Sequence, residues 1–61
     1  MQYFDLRAEV HDVVHEILEY KWLESEKEGR DIGLHRASVE WITMYYDTWF
    51  KFNIRRYLKN I

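Results

Sequence analysis

Apolar residues recur at three- and four-residue spacings through Leu6, Val10, Val13, Val14, Ile17 and Tyr20, the period of an amphipathic helix rather than a strand. Asp5 stands where an N-cap is needed, and Lys27 falls in the last turn before Gly29, which suits a left-handed helix terminator. These signals predict helix 1 over about residues 5–28. There is no proline, and both glycines lie within Gly29-Arg30-Asp31-Ile32-Gly33, the one interruption in the pattern. Either Gly33 or Asp31 caps the next helix, with Ile32 packing back as a hydrophobic staple, and helix 2 is predicted over about residues 34–59. So short a connection, residues 29–33, makes the helices antiparallel neighbours. The expected fold is all-α: an antiparallel two-helix hairpin forming one domain over residues 1–61.

A continuous helical period divides the apolar residues of helix 2 into two stripes. Leu34, Ala37, Trp41, Tyr45, Trp49 and Phe52 form the face directed at helix 1, so Trp41, Tyr45, Trp49 and Phe52 are the expected core. Val39, Tyr46, Phe50, Ile54, Tyr57 and Ile61 follow the far side, and Leu18 and Trp22 lie off the seam of helix 1. A hairpin shelters one face of each arm, which leaves an aromatic surplus of the kind that anchors interfaces. The surplus predicts an intermolecular contact through Leu18, Trp22, Val39, Tyr46, Phe50, Ile54 and Tyr57. A core built from fewer than about 70–80 residues supplies only about 3–5 kcal/mol unaided, and with no cysteine the chain has no disulfide to add. The occupant expected first is therefore a second copy, giving a homodimer that closes as a four-helix bundle; the other is a larger protein partner.

Charge is unevenly distributed. The 11 acids all precede residue 51, whereas Lys51, Arg55, Arg56 and Lys59 follow with no acid among them, and the net charge of −2 conceals this. In a chain folded back on itself the basic stretch lies beside Asp5, Glu9 and Asp12, as internal pairing. The alternative function is nucleic-acid binding through Lys51–Lys59, with Phe52 and Tyr57 stacking on bases, against which stands a pI near 5.8. Neither a basic-then-apolar leader nor about 20 consecutive apolar residues is present, so a cytoplasmic chain without a membrane segment is expected.

Candidate chemistry is sparse. His11 and His15 in His11-Asp12-Val13-Val14-His15 share one side of helix 1, but the metalloprotease pattern needs Glu directly after the first His, and a third ligand would have to be Glu19, one turn further on, or His35 from the distant loop end. No metal site is assigned; the two histidines are instead candidate pH-sensitive groups within the interface. Glu24 falls on the seam and is expected to be buried with Lys21 or Arg30 as its partner. No glycine-rich phosphate loop and no thiol nucleophile occur, and Ser25 and Ser38 lack an organised base. The chain is read as non-enzymatic and cofactor-free, a small protein–protein interaction or adaptor module.

The stretch Tyr20-Lys21-Trp22-Leu23-Glu24-Ser25-Glu26-Lys27-Glu28-Gly29-Arg30-Asp31-Ile32-Gly33, followed by Ala37 and Trp41, resembles a helix, glycine turn and helix pattern found in small uncharacterised bacterial proteins. The resemblance implies the hairpin and carries no activity.

Overall fold

The computed structural model describes residues 1–61. Its elements are β1 (Gln2–Phe4), α1 (Leu6–Glu28), α2 (Leu34–Trp41), a π-helical segment (Ile42–Tyr46), α3 (Asp47–Asn53), a 3-10 turn (Ile54–Arg56) and β2 (Leu58–Asn60). α1 forms one arm; α2, the π-helical segment and α3 form the other. The molecule is a rod measuring 48 × 18 × 14 Å.

Each end of α1 is set by the residue chemistry anticipated for it. The Asp5 carboxylate accepts the Ala8 N–H at 3.1 Å, satisfying one of the orphan donors of the first turn. Gly29 closes the helix at φ 71°, a conformation in which a side chain is strained, and the Arg30 N–H returns to the Ser25 carbonyl at 3.1 Å. The two candidate caps of the second arm divide the task. Gly33 supplies the backbone at φ 85°, while the Asp31 carboxylate accepts the Gly33 N–H at 2.9 Å and also receives Lys21 at 2.9 Å. Lys21 thus serves the turn and not Glu24, which is half-buried and pairs with Lys27 at 2.9 Å.

The all-α expectation is corrected by a two-stranded antiparallel sheet. β1 and β2 pair Gln2 with Asn60, Tyr3 with Lys59 and Phe4 with Leu58. Flanking bonds extend the closure, from the Asp5 N–H to the Tyr57 carbonyl at 2.6 Å and from the Ile61 N–H to the Met1 carbonyl at 2.9 Å. Helix 2 accordingly stops well before residue 59. Its last α-helical residue, Asn53, turns its side-chain amide back onto the Trp49 carbonyl at 2.7 Å and opens φ to −114°, local bonding that competes with continuing the helix. The four-helix bundle is corrected with it, because much of the second aromatic stripe that was to line that bundle is used within one chain.

The π-helical segment explains how. A π turn holds more residues than an α turn, so Ile42–Tyr46 absorbs one residue without advancing the face. Every later side chain is turned back by roughly 100° from where a continuous α-helix would put it. Tyr46 and Phe50 swing in and Trp49 stays against Trp41, whereas Tyr45 and Phe52 swing out, Phe52 to 84 % exposure. The two stripes become largely one. Trp41 sits edge-on to Trp49 and to Tyr46, at ring separations of 5.7 and 6.0 Å, while Tyr46 stacks on Trp49 and Phe50 at 6.2 and 5.7 Å. Phe4 of β1 joins this cluster through Phe50 and Tyr57, at 5.9 and 5.8 Å. The centre of the core is Ile17, Ala37 and Trp41, flanked by Val13, Tyr20, Ile32, Tyr46 and Trp49.

Candidate protein-docking surface

Three tyrosine hydroxyls fasten the two arms together. Tyr46 donates to Glu9 at 2.6 Å, Tyr57 to Asp12 at 2.6 Å, and Tyr20 to Glu40 at 2.7 Å. Glu9 is only 5 % exposed, and the hydroxyl provides the partner that a buried carboxylate requires. Asp5, Glu9 and Asp12 therefore act as a helix cap and as tyrosine acceptors, and the expected ion pairing with the basic stretch is absent. Lys51 lies 3.5 Å from Asp47, while Arg55, Arg56 and Lys59 have no carboxylate within ion-pair distance. Near the loop, Arg36 bridges Glu28 and Glu40, which holds both carboxyls below their usual range.

The hydroxyl bonds have a titration consequence. Hydrogen bonding to Glu40 pushes Tyr20 up to about 12, and bonding to Glu9 does the same for Tyr46. For Tyr57, burial is the larger cause and the bond to Asp12 the second. Each hydroxyl stays protonated in the folded chain at pH values where the unfolded chain ionises it, so the folded state binds more protons there. The stabilisation is complete below about pH 10 and is lost as pH climbs toward about 12. Urea unfolding should show stability falling across this window, with a shallower fall in Tyr46→Phe. A flat profile in the parent chain would contradict the assignment.

Both arms leave large apolar residues uncovered, and on α1 they form a continuous row. Leu6, Val10, Val14, Leu18 and Trp22 follow one another at four-residue intervals, forming a single ridge over about four turns in which every member is exposed, Trp22 to 62 %. Beside the ridge, Glu9, Val10, Val13, Val14, Ile42 and Tyr46 line a shallow cleft of about 230 Å³ between α1 and the π-helical segment. Val39 and Ile42 extend the exposed apolar area onto the second arm.

The residues predicted for the contact fall into two groups. Leu18, Trp22 and Val39 are exposed. Tyr46 and Phe50 are half-buried in the aromatic cluster and Ile54 is half-buried in the 3-10 turn. Tyr57 is 1 % exposed and is the largest fully buried side chain, a core residue and not a contact. Among the expected core, Trp41 is buried and Trp49 half-buried, but Tyr45 and Phe52 are outside it. His11 and His15 are exposed beside the ridge, with the His11 Nδ1 3.4 Å from Asp12. No three potential metal ligands converge, and no helix is long and apolar enough to cross a membrane. Leu6, Val10 and Val14 were not in the predicted contact. Their four-residue spacing with Leu18 and Trp22 is the signal that finds them.

The model of one protein family, described as a domain of unknown function (DUF4032), matches residues 2–46, well over half of the chain. The chain belongs to the DUF4032 family. The DUF4032 match takes in β1, the whole α1 ridge, α2 and the π-helical segment, whereas α3, Tyr57 and β2 lie beyond it. No curated protein and no solved structure matches the chain.

Proposed function

We propose that this protein is a small non-enzymatic interaction module that docks another protein surface through the α1 ridge, with Val39 and Ile42 at its edge. The observation that carries the reading is the ridge itself. Five successive apolar residues at four-residue spacing remain between 48 % and 62 % exposed, although the same fold finds cover for Tyr57, Phe50 and Tyr46. An aromatic at one end and aliphatic side chains at the centre are the composition of an interface core rather than of solvent-facing helix. The clefts are shallow and open, which suits a surface that receives a helix or a flat partner better than one that encloses a small substrate.

Affinity capture from the native host, comparing the parent chain with Leu18→Asp, tests the reading. Leu18 is exposed and outside the core, so the variant keeps its helical circular dichroism while any ridge-bound protein is retained at least about ten-fold less, the effect of a charge placed within an interface centre. Equal recovery of the same proteins by both chains would overturn it.

A further inference from the structure

Resting on that reading, we infer that the occupant of the ridge is a second copy of this chain, packed antiparallel on α1 about a two-fold axis at Val14. A two-fold contact must be self-complementary: each residue i that meets j requires j to meet i. The ridge has that property. Val14 is at its middle, with Val10 and Leu18 one step to either side and Leu6 and Trp22 two steps. Reversing a second α1 on the first places Val14 on Val14, Val10 on the other copy's Leu18, and Leu6 on the other copy's Trp22. Each pair sets a smaller side chain against a larger or equal one.

The neighbouring row carries matching charge. Arg7, His11, His15 and Glu19 follow the ridge one residue later, cationic at the first end and anionic at the last, and neither Arg7 nor Glu19 has an ion-pair partner within the chain. Antiparallel docking brings each Arg7 near the other copy's Glu19. Parallel docking would turn the two rows to opposite sides of the contact and form no such pair. Charge thus favours the antiparallel direction, through residues other than those of the apolar row.

The amount of exposed surface agrees with one missing neighbour. The chain exposes 4997 Å², against roughly 4,300 Å² for a folded monomer of its mass. The excess, roughly 700 Å², approaches the 800 Å² or so that one partner contributes to a standard interface. Covering it on both copies gives an interface at the lower end of the specific range, consistent with micromolar association.

Sedimentation equilibrium of the purified chain from about 1 to 200 µM is the direct measurement, and a reversible monomer–dimer equilibrium is expected. Val14→Asp places two carboxylates on the axis and yields monomer throughout, with unchanged helicity because Val14 is exposed. Arg7→Glu weakens the dimer about ten-fold at low salt, since both symmetry-related pairs turn repulsive, and Arg7→Glu combined with Glu19→Arg returns it to within about three-fold of the parent. A parent chain that remains monomeric over this range overturns self-pairing, while the capture comparison above still decides whether the ridge docks anything. A dimer indifferent to Val14→Asp, or one that the double exchange fails to restore, overturns the antiparallel arrangement.

Discussion

Deletion of Met44 leaves the protein folded, with a thermal midpoint equal to or above that of the parent chain, whereas insertion of one alanine beside Met44 abolishes the cooperative transition. The asymmetry follows from the π-helical segment. Ile42–Tyr46 already holds one residue more than an α-helix would need to carry Trp41 onto Tyr46, Trp49 and Phe50. Removing an exposed residue from it restores regular i to i−4 bonding and keeps all three aromatics on the core face. Adding a residue turns them a further 100° or so and separates Tyr46 from Glu9 and Phe50 from Phe4. The lost packing of two or more large aromatics exceeds the roughly 3–5 kcal/mol available to a core of this size. Far-UV circular dichroism melting of the two variants checks the claim, and a destabilised deletion beside a stable insertion would remove the register argument altogether.

Tyr57→Ala is expected to unfold the chain at room temperature, and Tyr57→Phe to lower its midpoint by only several degrees. Tyr57 is the point at which three regions of the molecule meet: its ring touches Phe4 of β1 and Trp49 of α3, its carbonyl receives the Asp5 N–H, and its hydroxyl reaches Asp12 on α1. Truncating a buried aromatic costs about 3–5 kcal/mol, comparable to the whole stability of a 61-residue fold. The phenylalanine variant keeps the ring and gives up one hydrogen bond, worth about 1 kcal/mol, or about 4–8 °C in a domain this small. Similar midpoints for the alanine variant and the parent would return Tyr57 to the surface.

What could be read from the residues was what local chemistry decides. Asp5, Lys27, Gly29 and the pair Asp31 and Gly33 act through neighbours a few positions away, so α1 and the turn were legible to within about a residue. Trp41 was legible too, since it precedes the π-helical segment and its phase is still that of a regular helix. Beyond it Trp49 stayed on the core side, but Tyr45, Tyr46, Phe50, Phe52 and Tyr57 were placed on the wrong faces. Nothing in Ile-Thr-Met-Tyr-Tyr marks a π turn, and a single absorbed residue exchanges Phe52 for Phe50 and Tyr45 for Tyr46 on the inner face. The strands were missed on different grounds. Each is three residues long, too short to show an alternation, and each exists only because the other end of the chain lies alongside it. The tyrosine–carboxylate bonds could not be found locally either, since they join residues 20 to 45 positions apart. On α1 the periodicity placed Leu18 and Trp22 off the seam, where they lie, but it did not extend that exposed row back to Leu6, Val10 and Val14.

Pairing Met1 with Ile61 gives the molecule a direction of mechanical weakness. Antiparallel strands joined at the chain ends are loaded crosswise when those ends are drawn apart, so their bonds break in succession, as in peeling, and not together as in shear. Tension would reach the Asp5–Tyr57 bond only after the rungs outside it had yielded, and from there the aromatic cluster would come apart from Phe4 inward.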